Sequence, residues 1–300
     1  MAVFSVANMV QFNEAILNVA SGDTIEIMAD LDWNDVINDY TETTNLGNIT
    51  TTALTNITIN GNDHNIYNMT GNLIRAQTFG TAIYNFHASE VTINDISFLN
   101  CDFSLKDTCI AYSGGNTTNI TVNKCVFQGA FKYSFFKKTG GSISLNSCMI
   151  TCNKSDYSPF KTVSGYQAPD AYNYCWIRLT GYNAYNAGSG ATYAENLNGC
   201  YIEGKLNYVS SSNAPRIFRY VQNSCINLEF NSYQTTNIDN LITPTTGTTQ
   251  KNVINIDKIS AYSETYKLTE QNSTNINKCC TDEHMKDAEY LVSVGFDIIA

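Results

Sequence analysis

Basic residues, proline, histidine and long apolar runs are all scarce in this chain of 300 residues. Lys and Arg together number 17 against 27 acidic residues, a formal charge of -10. That balance excludes the basic footprint needed to bind nucleic acid or an anionic membrane. No run of about 18 apolar residues occurs, so no membrane-inserting helix is expected. Of the three histidines, His64, His87 and His284, none has the surroundings of a cysteine-protease base. Only four prolines punctuate the sequence.

The first residues, "MAVFSVANMVQFNEAILNVASGD", carry no basic segment and no continuous apolar core, so they do not read as a signal peptide. Val6, Met9, Val10, Ile16 and Leu17 suit a short amphipathic helix ended by Ser21-Gly22-Asp23. A reducing cytoplasm is the expected site of synthesis. Sequons such as Asn56-Ile57-Thr58 then carry no glycosylation meaning.

Asn, Thr, Ser, Gly and Tyr are plentiful, a mix that favours turns and pleated strands. An asparagine two residues before a cysteine recurs at Asn123/Cys125, Asn146/Cys148, Asn173/Cys175, Asn198/Cys200, Asn223/Cys225 and Asn277/Cys279. Around it runs a wider pattern of apolar, Thr or Ser, apolar, Asn, any, Cys or apolar, as in "ITING", "VTINDISF", "ITVNKCVF" and "ISLNSCMI". The pattern adds Asn60 and Asn94 to the series, and "INIDKI" adds Asp257 in the asparagine place. Successive copies lie 20 to 34 residues apart, a solenoid period.

Alternating apolar positions argue for strands, and about 20 residues is the least that one rung of a parallel β-helix needs. The expected fold is all-β: a right-handed parallel β-helix of roughly nine to ten rungs with a short N-terminal capping helix. Residues 1–23 would form the cap, 24–280 the β-helix and 281–300 a closing or anchoring tail. Asn94, Asn123, Asn146, Asn173, Asn198 and Asn223 would stand at a bend in the left-handed region, their amides stacked as a ladder. Cys125, Cys148, Cys175, Cys200 and Cys225 would pack in the core, while Val126, Met149, Trp176 and Tyr201 face outward.

Other readings of the cysteines are weaker. Metal binding needs converging pairs, and only Cys279-Cys280 and Cys148/Cys152 are close in sequence, so no metal or cofactor is expected. Disulfides between rungs would be geometrically allowed, but the expected compartment favours thiols. "DLDWNDVINDYTE" begins like a calcium loop yet has Asp35 and Thr41 where an EF-hand needs Gly and Glu. His64 in "NGNDHN" reads as part of a structural turn rather than as a ligand or acid.

"GDTIEIMADLDWND" at 22–35, "ITINGNDHNIYNM" at 57–69 and the tail "TDEHMKDAEYLVSVGFDI" from Thr281 resemble the pectate-lyase-like β-helix superfamily, nearest to its phage, prophage and bacterial-surface members. The resemblance covers both ends of the chain and implies fold more strongly than activity. Pectate lyases pair an acidic calcium site with an arginine base. Here Arg75, Arg178, Arg216 and Arg219 lie beside no acidic cluster in sequence, and the motifs of polygalacturonases are missing.

The candidate contact surface is the charge-poor, tyrosine-rich stretch holding Tyr157, Tyr166, Tyr172, Tyr182, Tyr185 and Tyr193, whose rings could stack on sugars or dock another subunit. The expected function is a non-enzymatic structural part of a phage or prophage particle: a tail, baseplate or capsid appendage located in the virion. Its partners would be other particle proteins, a cell-surface glycan and further copies of itself, with trimers implied by the resemblance. Two alternatives stay open, a polysaccharide-degrading tailspike or lyase-type enzyme and an adhesin on the bacterial surface.

Overall fold

The structure is a computed structural model that describes residues 1–35, 54–70, 74–79, 82–85, 90–102, 110–112, 119–131, 136–137, 141–155, 170–186, 194–209, 218–222, 224–232, 242–244 and 253–258. Most of them lie in strands of two parallel sheets that face each other in a parallel β-helix solenoid.

The first sheet stacks ten strands: Val3–Val6, Thr24–Ile27, Ile57–Asn60, Glu90–Asn94, Asn119–Asn123, Ser142–Asn146, Ala171–Asn173, Ala194–Asn198, Phe218–Gln222 and Ile242–Pro244. The second stacks nine: Leu31–Asp32, Asn65–Tyr67, Ser97–Asp102, Val126–Phe131, Met149–Ser155, Trp176–Asn186, Tyr201–Val209, Cys225–Ser232 and Val253–Lys258. A shorter third sheet joins Phe136–Lys137, Ile110–Tyr112, Ile74–Phe79 and Ala82–Asn85, the last two strands antiparallel.

Strand formation follows from period-two alternation. In Ser142–Asn146, Ile143 and Leu145 are buried while their neighbours are not. Exact register stacks like on like, so Ile57, Val91, Ile120 and Ile143 form one inward column. Ile59, Ile93, Val122, Leu145, Tyr172 and Leu197 form a second. On the facing sheet Ile66, Phe98, Phe127, Ile150, Ile177 and Ile202 form a third. There the rings of Phe98 and Phe127 stack 4.9 Å apart and 5° from parallel. Each fully buried aliphatic side chain contributes about 2 kcal/mol. A parallel sheet needs this, because its strands cannot close by hairpins.

The helix Met9–Asn18 covers the first rung. Asn8 caps it by accepting the Gln11 N–H at 2.9 Å, and Gln11 Oε1 accepts the Ala7 N–H at 2.8 Å in return, a relative of the capping box that reaches the residue before the cap. Met9, Phe12, Ala15 and Ile16 are buried beneath it, whereas Val10 is 48 % exposed. Strand Val3–Val6 precedes the helix and pairs with Thr24–Ile27, so the first segment adds a strand to the stack as well as a cap. Residues 281–300, with His284, lie outside the described residues.

The corner between the two sheets is where the repeated Asn and Cys stand. The residue in the left-handed region is the one after the asparagine: Asp95, Lys124, Ser147 and Tyr174, with φ between 52° and 54°, and Gly199 at 65°. The asparagines themselves end strands, which corrects their expected conformation. A single left-handed residue turns the chain sharply and drops the next side chain into the core. Cys125, Cys148, Cys175 and Cys200 occupy that position and are at most 1 % exposed.

One rung departs from the expected alignment. Gln222 pairs with Asn198, and Tyr201 with Cys225. Gln222 therefore stands at the asparagine place, while Ser224, fully buried, takes the place in the cysteine column and its hydroxyl oxygen accepts the Cys200 N–H at 3.1 Å. Cys225 is in register with Tyr201 in the second sheet, and Asn223 lies outside the described residues. Asp257 is likewise not in the ladder: its strand Val253–Lys258 belongs to the second sheet, where Asp257 pairs with Glu229.

Candidate ligand-contacting surface

The corner residues are occupied in holding rungs together. Asn94 Nδ2 donates to Asn60 Oδ1, Asn123 to Asn94 and Asn146 to Asn123, each at 2.8 Å, and Asn173 to Asn146 at 2.9 Å. All donate in the same direction, and the chain of amides ends on a carboxylate: Asn60 Nδ2 donates to Glu26 Oε1 at 2.8 Å. A shorter ladder runs from Asn100 through Asn68 to Asp32. An amide is the side chain that can both donate up and accept down, which is why asparagine repeats.

The stacked thiols are packed in the same way. Cys175 Sγ lies 3.5 Å from the Leu145 carbonyl and 3.4 Å from that of Asn173, and Cys148 and Cys200 repeat the arrangement. Burial pushes the thiols of Cys125 and Cys175 up, and that of Cys101 to about 12. Among the described residues no group of three or more His, Cys, Asp or Glu could hold a metal ion. Asp30 accepts from the backbone and side chain of Asn65 at 2.9 and 3.1 Å, and His64 Nδ1 lies 3.4 Å from it. The backbone bond from Asn65, its side-chain bond and His64 hold the Asp30 carboxyl below its ordinary range.

Tyr172 is a correction. It occupies the inward column between Leu145 and Leu197 and is 0 % exposed, so it cannot touch a partner; alternation along Ala171–Asn173 turns it inward. Tyr182 and Tyr185 lie in the strand Trp176–Asn186, with Tyr185 paired to Tyr208. Tyr157, Tyr166 and Tyr193 fall outside the described residues.

The exposed aromatics that the structure does describe stand on the outer face of the second sheet and its corner. Trp176 pairs with Tyr201, and their rings meet edge to face, 5.9 Å apart at 89°. Arg178 Cζ lies 5.3 Å from the Trp176 ring centroid. Its Nε donates to Glu203 Oε1 at 2.7 Å, and Trp176 Nε1 donates to the same oxygen at 3.3 Å. Tyr174, 54 % exposed at the corner, lies over Gly199, where a Cβ would come within 2.6 Å of its ring. Trp176 is 37 % exposed. The result is an aromatic ridge fixed by a cation over one ring and an acid between two donors. Sequence parity made Trp176 and Tyr201 outward; missing was the pairing that joins them to Arg178 and Glu203 across rungs.

Beside this ridge the register sets Gln128, Thr151, Arg178, Glu203, Asn227 and Asn255 in one column. Two residues further along the strands it sets Lys205, Glu229 and Asp257 in another. In-register residues of parallel strands stand about 4.8 Å apart. Glu203 is the one acid in its column and is already neutralised by Arg178, so it offers hydrogen bonding and not a pair of carboxylates. No family model, curated protein or solved structure matches the chain.

Proposed function

We propose that the chain is a non-enzymatic structural protein of a phage or prophage particle, a rigid tail, baseplate or capsid appendage whose flank contacts host glycan. The observation that carries the reading is the Trp176–Tyr201 ridge held by Arg178 and Glu203 on a stack of rungs locked by amides. A contact surface on such a stack loses little conformational entropy on binding, and copies repeated by particle symmetry would add weak affinities together. Antibody raised against the protein should label particles purified from the source bacterium; unlabelled particles would remove the virion from the reading.

A second reading is favoured by one observation. Glu229 and Asp257 are register neighbours on successive rungs, the arrangement from which a glycoside-cleaving carboxylate pair can be built. Reducing-end release from polysaccharide by the purified protein, lost in Glu229→Gln and Asp257→Asn, would replace the non-enzymatic reading with this one.

A further inference from the structure

We infer that the ridge of Tyr174, Trp176 and Tyr201 is a binding site for an uncharged, hexopyranose-containing glycan, with Arg178 and Glu203 as its hydrogen-bonding edge. The inference deepens the proposed contact with glycan and rests on it.

Its first ground is shape and chemistry. An aromatic face gains from the apolar C–H face of a sugar ring, and a polar edge must meet the ring's hydroxyls. Trp176 stays 37 % exposed although Arg178 covers part of its ring, the Tyr201 ring meets it at 89°, and Tyr174 stands at the corner at 54 % exposure. Nothing in this cluster is left to collapse on binding, because Glu203 already ties the indole N–H and the guanidinium together. Such a site is preorganised, which lowers the entropic cost of binding.

The second ground is charge. Arg178 and Glu203 cancel, so the ridge is neutral, and it belongs to a chain of formal charge -10. Sialylated, sulfated or phosphorylated glycans would meet net repulsion, as would a single nucleic-acid strand, for which stacked aromatics require a basic groove. The third ground is the neighbouring column, where Gln128 and Thr151 lie below Arg178 and Asn227 and Asn255 lie above Glu203 in register. The exposed Gln128 and the partly exposed Thr151 match a ligand of many hydroxyls better than the apolar centre of a protein interface.

The chain carries its own reporter. It has two tryptophans, and Trp33 is 3 % exposed, so ligand-dependent emission changes report on Trp176. The purified full chain is applied to an array of neutral and anionic glycans, and the best neutral hexose oligosaccharide is titrated while tryptophan emission is followed. Binding to at least one uncharged hexose glycan is expected, with a shift in emission. Trp176→Ala should weaken it at least tenfold and Tyr201→Ala several-fold, whereas Trp176→Phe keeps part of the affinity. Trp176 is exposed and Tyr201 partly so, outside the core, so thermal midpoints should stay near that of the parent. Binding to anionic glycans only, to protein only, to no neutral glycan, or equally by parent and Trp176→Ala would overturn the inference. Glycan binding without particle labelling would leave this site standing and remove only the virion.

Discussion

Gly129 stacks directly on the backbone of Cys101: a Cβ on Gly129 would fall 2.1 Å from the Cys101 carbonyl oxygen. The register of the second sheet shifts at this point, letting one rung settle closely onto the other. Gly204 repeats the device three rungs later, with the Leu179 carbonyl oxygen 2.2 Å from its Cβ position. Backbone cannot swing aside as a side chain can. Gly129→Ala should therefore destabilise the chain by about 3 kcal/mol through overpacking, read as a fall in the urea midpoint. A change below about 0.5 kcal/mol, the range of ordinary surface substitutions, would refute the close approach.

The amide ladder makes a position-specific prediction. Asn146 both accepts from Asn173 and donates to Asn123, so Asn146→Ala strands one donor and one acceptor. The expected loss is about 2 kcal/mol. Asn119→Ala is the control, because that asparagine merely accepts the exposed Ser142 hydroxyl. It should cost less than about 0.5 kcal/mol, and equal losses at the two sites would argue against a ladder.

Most of the scaffold was legible because a solenoid writes the same local problem into the sequence again and again. Asn123-Lys124-Cys125 and Asn146-Ser147-Cys148 have one solution, a strand end, a left-handed residue and a core thiol. Legibility failed where a match of letters competed with register. Asn223-Ser224-Cys225 repeats the letters, yet matching Val221 to Leu197 and Ile226 to Ile202 sets Gln222 in register with Asn198 and Ser224 in the core. Tyr172 was misread for the same reason: its type suggested a surface, while its place one residue before Asn173 is that of Val122 and Leu145. The Trp176–Glu203 contact crosses 27 residues of sequence and exists through stacking alone, so no local pattern could announce it.

Acid should act through Asp23. Its carboxylate is nearly buried and accepts the backbone N–H groups of Ala2 and Ala20, tying the first strand to the turn after the helix. These bonds hold its carboxyl below the ordinary value of 3.8. A lowered folded-state value means that the stabilisation is complete above the ordinary 3.8 and is lost as pH falls from there through the lower folded-state value. Asp23→Asn should thus lower the thermal midpoint at pH 7, and the gap between variant and parent should close in strong acid. A gap that is unchanged down to pH 2 would show that charge at Asp23 is not what joins these segments.

Alkali should act through the buried thiols, in the opposite sense. Cys101 is 5 % exposed, and burial raises its thiol from 9.0 to about 12, the Met69 backbone N–H opposing this in part. An unfolded chain releases that proton near pH 9 while the folded chain keeps it. Its contribution to stability is therefore complete below pH 9 and is lost as pH rises towards 12. At pH 8 the folded Cys101 thiolate would be about one part in ten thousand, so aromatic disulfide reagents should react with it only after unfolding. Tyrosines and lysines also titrate in this range, so the comparison is between variants. Cys101→Ala, which loses about 1 kcal/mol of packing at neutral pH, should show a shallower decline of the urea midpoint between pH 9 and 12 than the parent. Parallel declines, or rapid labelling of Cys101 at pH 8 in the folded chain, would mean that this thiol is not sealed between the rungs.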